Sequence, residues 1–198
     1  MRSSLLALAL LLALGGLPRA AEGKVYLSRQ EAIEIAFPGA DRVDERTVVL
    51  DDAQARAIEK LSRAPLDTRL VTIYTGLRDD RVVGYALIDL HTVRTLPEAF
   101  LVVLTPEGAV RSLRMLAFYE PEEYLPPERW LAQFERERLD PGLRLQGRIH
   151  GIAGSTLSSR AVTSGVRRAL ALWETLLKGD RRLSVAEEDS VASLSPER

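Results

Sequence analysis

The chain has 198 residues, 46% hydrophobic and 28% charged, a balance that closes one core without metal or disulfide staples. Its 27 Lys and Arg stand against 28 Asp and Glu, so no overall surplus of positive charge is available to neutralise a nucleic-acid backbone or an anionic membrane surface. The absence of Cys removes disulfide frameworks, thiol chemistry and lipid attachment through an N-terminal Cys.

The chain begins with Arg2, a run from Leu5 to Leu14 that is almost wholly Leu and Ala, and small residues at Ala20-Ala21, so residues 1–20 are expected to be a signal peptide. The apolar run is short for a hydrocarbon core of ~30 Å, and no later segment approaches that length. The mature chain is therefore expected to be periplasmic or otherwise exported, with no transmembrane span. Cleavage after Ala20 removes Arg2 and Arg19 from the 27 basic residues, which leaves 25 against 28 acidic ones and a formal charge of −3.

Ser28 and Glu31 have the spacing of a capping box and predict a helix to about Phe37, stopped by Pro38-Gly39. Thr47 to Leu50 reads as a short strand, and Asp51 with Gln54 opens a second helix with Ala55, Ile58 and Leu61 on one face. Extended segments follow at Leu70 to Thr75, Val82 to Leu90, Phe100 to Leu104 and Val110 to Tyr119, with turns at Arg78-Asp79-Asp80 and Pro106-Glu107-Gly108. Pro126-Pro127 starts a helix whose apolar residues are Trp130, Leu131 and Phe134, and Asp140-Pro141-Gly142 stops it. The longest helix is expected from Ser158 to Lys178, with Val162, Val166, Ala169, Leu170, Trp173, Leu176 and Leu177 on the face that meets the sheet. The fold class is α+β: an antiparallel sheet packed by a long C-terminal helix, with an N-terminal helical portion. In domain terms, the signal peptide at 1–20 precedes an N-terminal helical portion at 21–67 and the main domain at 68–178. Residues 179–198 form a polar tail without a period, expected to be disordered.

The loop from Gly151 to Ser159 joins an apolar stretch to the start of the long helix. Free amides and the helix dipole favour an anion there, Gly154 lets the backbone approach closely, and the hydroxyls of Ser155, Thr156, Ser158 and Ser159 add donors. The same residues also serve as ordinary N-caps, so this pattern leaves both readings open.

The stretch IAGSTLSSRAVTSGVRRAL, Ile152 to Leu170, resembles the FMN-binding domain family, which includes the covalent-flavin subunits of sodium-translocating NADH:quinone reductase and of Rnf complexes. The family motif reads S-G-A-T, then Leu or Ile, then Ser or Thr, and its threonine carries FMN as a phosphoester. The resemblance places that motif on Ala153-Gly154-Ser155-Thr156 and extends over Val83-Gly84-Tyr85, Pro106-Glu107-Gly108 and Trp130 to Phe134. It implies FMN linked to Thr156 and a cofactor site made of Gly154, Ser155, Thr156, Leu157, Ser158 and Ser159. Glu120 is implied through a family segment matched here by that residue alone. It further implies electron transfer as the function, maturation by a flavin transferase, and redox partner proteins in the membrane or periplasm, such as a cytochrome. The chain departs from the family at His150, where an Asp is usual, and at Ala153 and Ser155. Those substitutions suit a rival reading, an exported binding or adaptor module that kept the fold and lost the flavin.

Other residues carry weaker signals. His91 and His150 stand far apart, with no His or Glu at metal spacing beside them, and no G-x-S-x-G elbow is present. Arg94 suits either an anionic contact or a solvated turn, and Tyr119 and Tyr124 either a ring contact or plain packing. Arg167 and Arg168 are expected to face water, and Glu120 to Glu123 to form a solvated face or a docking surface.

Overall fold

The computed structural model describes residues 23–179, so the expected signal peptide lies outside the described residues, and so does the polar tail beyond Gly179. Strands β1 (Lys24–Val25), β2 (Arg42–Val49), β3 (Leu70–Arg78), β4 (Arg81–Thr92), β5 (Pro97–Leu104) and β6 (Val110–Phe118) form one antiparallel sheet in the order β1-β6-β5-β4-β3-β2. The helices are α1 (Arg29–Ala36), α2 (Asp52–Ser62), the single turn α3 (Glu128–Leu131) and α4 (Thr156–Leu172), which runs on into a π-helical turn at Trp173–Leu177. The class is α+β, and no described helix is long and apolar enough to cross a membrane.

Local chemistry accounts for the boundaries. Ser28 and Glu31 exchange side-chain to backbone hydrogen bonds at the start of α1, and Asp51 and Gln54 do the same for α2. Asp79 and Asp80 both adopt positive φ, 50° and 58°, the type I′ geometry whose twist matches the flanking strands β3 and β4. Strand β5 is buried on both faces, which is why Ala99 to Leu104 reads as a continuous apolar run. Phe100, Val102 and Leu104 pack with α2 and α4, whereas Leu101 and Val103 pack on the other side with Ala32 and Ala36 of α1 and with Phe37 just after it.

Several elements differ from expectation. The strand expected at Thr47 to Leu50 is eight residues long, pairs with β3 in full register and is an edge of the main sheet. The buried side of α2 is Ala55, Ile58 and Ser62, while Leu61 faces solvent. The long helix starts two residues earlier than expected, at Thr156.

Arg167 and Arg168 are both buried, a correction to their expected exposure. The guanidinium of Arg167 donates to the carbonyls of Leu61 and Ser62 at the end of α2, and to those of Asp140 and Leu143. Arg168 makes a two-pronged pair with Asp89 at 2.8 to 3.0 Å. Asp89 also contacts His91 Nδ1 at 2.6 Å, and His91 Nε2 lies 2.8 Å from Glu98 on β5. Four ionisable side chains thus share one buried cluster between sheet and helix, at the foot of the β4–β5 turn.

Candidate functional site

The β4–β5 turn, residues 93–96, is closed from below by the His91–Glu98 pair and held from the side by Glu120. One Glu120 carboxylate oxygen accepts hydrogen bonds from the backbone N–H of Arg94, Thr95 and Leu96 at 3.1 to 3.2 Å. Burial acts to raise the Glu120 pKa, but these amides, and then the Arg94 guanidinium, outweigh it and hold the carboxyl below its ordinary value. Glu120 is therefore ionised at neutral pH, with one of its two oxygens spent on shaping the turn.

The opposite wall is the loop before α4. Trp130 Nε1 donates to the His150 carbonyl at 2.6 Å, and the His150 N–H donates to Gln133 at 2.9 Å, which ties the loop's entry to α3. Ser159 Oγ donates to the Ser155 carbonyl at 2.9 Å, and the Ile152 N–H donates to Ser159 Oγ at 3.4 Å. Ser155 is buried, its hydroxyl donating to the Glu123 carbonyl at 3.3 Å. Being so engaged, it makes no side-chain cap on α4. The amides of Thr156, Leu157 and Ser158 have no carbonyl one turn back to receive them. They and the positive end of a 17-residue helix are left to meet an anion.

Between these walls lies a cavity of about 240 Å³ lined by Val93, Arg94, Glu120, Tyr124 and the segment Gly154 to Ser158. Thr156, Gly154 and Leu157 are exposed at its mouth, so space remains outside the Thr156 hydroxyl. Gly154 has φ of +83°, and a Cβ built there meets no atom within 4 Å. The glycine is thus required by the left-handed turn rather than by crowding.

Of the residues singled out by sequence, the structure brings Gly154, Ser155, Thr156, Leu157, Ser158 and Glu120 to this one cavity. Ser159 is not among its lining residues, because its hydroxyl is spent inside the loop. Arg94 and Tyr124 line the cavity, but Tyr119 does not; its ring lies over Gly23. Val93 was not foreseen at all, and it reaches the cavity only because the turn beyond His91 folds toward α4.

The contents of the site suit an anionic group such as a phosphate: first-turn amides without a side-chain cap, an arginine on the facing wall, a threonine hydroxyl at an open mouth and apolar surface from Val93, Tyr124 and Leu157. Comparison with known protein families returns no match. No curated protein matches the chain either. Among solved structures the chain is similar to NqrC of Shewanella oneidensis, with 12% identity and a TM-score of 0.44 over 75% of this chain and 85% of that one.

Proposed function

We propose that this protein is an exported electron-transfer protein that binds FMN, with the flavin phosphate esterified to Thr156. The observation that carries the reading is the exposed Thr156 hydroxyl at the first turn of an uncapped 17-residue helix, opposite Arg94, at the mouth of a cavity.

When bound, FMN supplies one- and two-electron transfer through its ring. The chain's own part is to hold and orient. The amides of Thr156, Leu157 and Ser158 would hold the phosphate, whose charge the helix dipole favours. Thr156 would hold the flavin through its hydroxyl oxygen, the product being heavier than the polypeptide by one FMN less one water. Arg94 faces the same space with a permanent positive charge. Glu120, engaged with three amides, fixes where Arg94 stands and is a positioning residue rather than a ligand in this reading. Export with cleavage near Ala20, a flavin transferase for maturation, and redox partners in the membrane or periplasm belong to the same proposal.

The test is absorbance in the flavin bands of protein co-expressed with a flavin transferase, beside a Thr156→Ala variant. The expected result is a yellow wild type and a colourless, folded variant. Equal colour in both would remove Thr156 from the account, and no colour in either would favour the adaptor module without flavin.

A further inference from the structure

A second cavity, of about 390 Å³, lies on the other side of Thr156, which belongs to the lining of both. Along α4, Thr156, Arg160, Thr163, Ser164 and Arg167 recur at spacings of three and four and so share one face of the helix. Opposite them stand Arg63, which ends α2 in a left-handed conformation with φ of 56°, and Arg144 on the loop that follows Gly142.

Four arginines therefore line one cavity, and none of its lining residues is acidic. This is out of keeping with the rest of the chain, where acidic residues outnumber basic ones and Arg29, Arg42, Arg69, Arg148 and Arg168 each pair with a carboxylate. Among the described residues Arg63, Arg144, Arg160 and Arg167 form no ion pair. Arg167 is 6% exposed and anchored by carbonyl oxygens at 2.6 to 3.1 Å. Those bonds fix its charge in place but do not neutralise it. The Asp140 carboxylate, whose charge acts favourably on Arg167, is itself engaged by Arg148 and by the Gly142 amide. Arginines keep their charge at any physiological pH, so the cavity carries a standing local excess of positive charge, partly solvated at the exposed Arg63, Arg144 and Arg160, that favours an anion.

We infer that this cavity is a binding site for a phosphate or pyrophosphate group of a small molecule. Planar guanidinium groups match pairs of phosphate oxygens, and two or more negative charges are needed to answer four positive ones. Thr156 and Ser164 add hydroxyl donors, and the start of α4 adds its dipole. The inference does not depend on flavin. The phosphate has two possible sources, a nucleotide that also occupies the Arg94 cavity across Thr156, or a separate phosphorylated compound.

The experiment is calorimetric titration of sodium pyrophosphate, and separately of inorganic phosphate, into full-length protein produced without a flavin transferase. Ionic strength is held constant with sodium chloride. Arg144→Gln and Arg160→Gln are titrated in parallel, because both side chains are exposed and unpaired, with circular dichroism to show that they fold. The expected result is pyrophosphate binding to the wild type, weakened at least tenfold by each substitution and abolished by the pair, with Arg144→Lys intermediate. Absence of binding in the wild type, or affinity unchanged in both glutamine variants, overturns the inference. The titration is then repeated on flavin-loaded protein. Loss of pyrophosphate binding identifies the cavity as the seat of the nucleotide's own phosphate, and retained binding identifies a second ligand. A protein that never acquires flavin still gives the first titration, so the two proposals fail separately.

Discussion

The Glu120 carboxylate accepts a hydrogen bond from the backbone N–H of Arg94 at 3.2 Å, and the same oxygen accepts from Thr95 and Leu96 at 3.1 Å. The segment just beyond β6 in this way dictates the shape of the turn between β4 and β5. Charge-assisted hydrogen bonds of this kind contribute roughly 1.5–3 kcal/mol each, although three on one oxygen do not add. Glu120→Ala is expected to destabilise the fold by about 2 kcal/mol in urea and to lower flavin loading, because Arg94 loses its fixed place. Glu120→Gln keeps one acceptor and should fall between the two. A loss of loading with no loss of stability would instead make Glu120 a direct contact.

The pair of Arg168 and Asp89 gives a second expectation. Burying one ion without its partner costs more than the intact pair contributes, on the order of 3–5 kcal/mol. Arg168→Met should therefore be destabilising by about 3 kcal/mol, and adding Asp89→Asn should recover part of the loss. The check is a double-mutant cycle by chemical denaturation. Additive effects would show that the two side chains do not share a desolvated contact.

His91 sets a pH dependence. Burial pushes its pKa down, but Asp89 and Glu98 outweigh that and raise it from 6.5 to about 9. A histidine with a raised folded pKa contributes stability that is complete below about pH 6.5 and is lost as pH climbs through about 9. The stability advantage of wild type over His91→Gln, measured as the difference in denaturation midpoint, should shrink across that interval. Asp89, held below its ordinary value largely by its bonds to His91 and Arg168 against the opposing effect of burial, adds stability that disappears only as pH falls into the acid range. An advantage that grows between pH 6.5 and 9 would contradict the assignment.

Gly165 marks where α4 lies closest to the sheet. A Cβ there would sit 2.5 Å from Phe100 Cζ and 2.8 Å from Asp89 Cγ. Alanine is the better helix former by about 1 kcal/mol, yet overpacking a core of this kind typically costs 1–3 kcal/mol. Gly165→Ala is expected to lower the thermal midpoint. A rise would mean that the helix moves away from Phe100 at little cost.

Much of this architecture was legible in the residues. Ser28 with Glu31, and Asp51 with Gln54, announced two helix starts through chemistry local to four residues. The apolar period of Val162, Val166 and Ala169 announced the helix that packs on the sheet. Strand β2 was largely missed because an edge strand exposed on both faces, here with Arg42, Asp44, Glu45 and Arg46, has no reason to alternate. The charged cluster was missed for a different reason. Asp89 and His91 look like a strand running out into solvent, and Arg168 looks like the wet side of a helix. Only the crossing of α4 over β4 brings residues 79 positions apart into contact. The four-arginine cavity is hidden in the same way, since Arg63 and Arg144 come from separate segments. The loop that lines the first cavity was legible because its parts, a glycine, a run of hydroxyls and a helix start, lie side by side in the chain.

The central claim is tested most directly by the intact mass of the protein purified from its own host, with peptide mapping of the segment around Thr156. The account predicts a mature polypeptide heavier by one FMN less one water, with the increment on the Thr156 peptide. A colourless protein at its unmodified mass would contradict it.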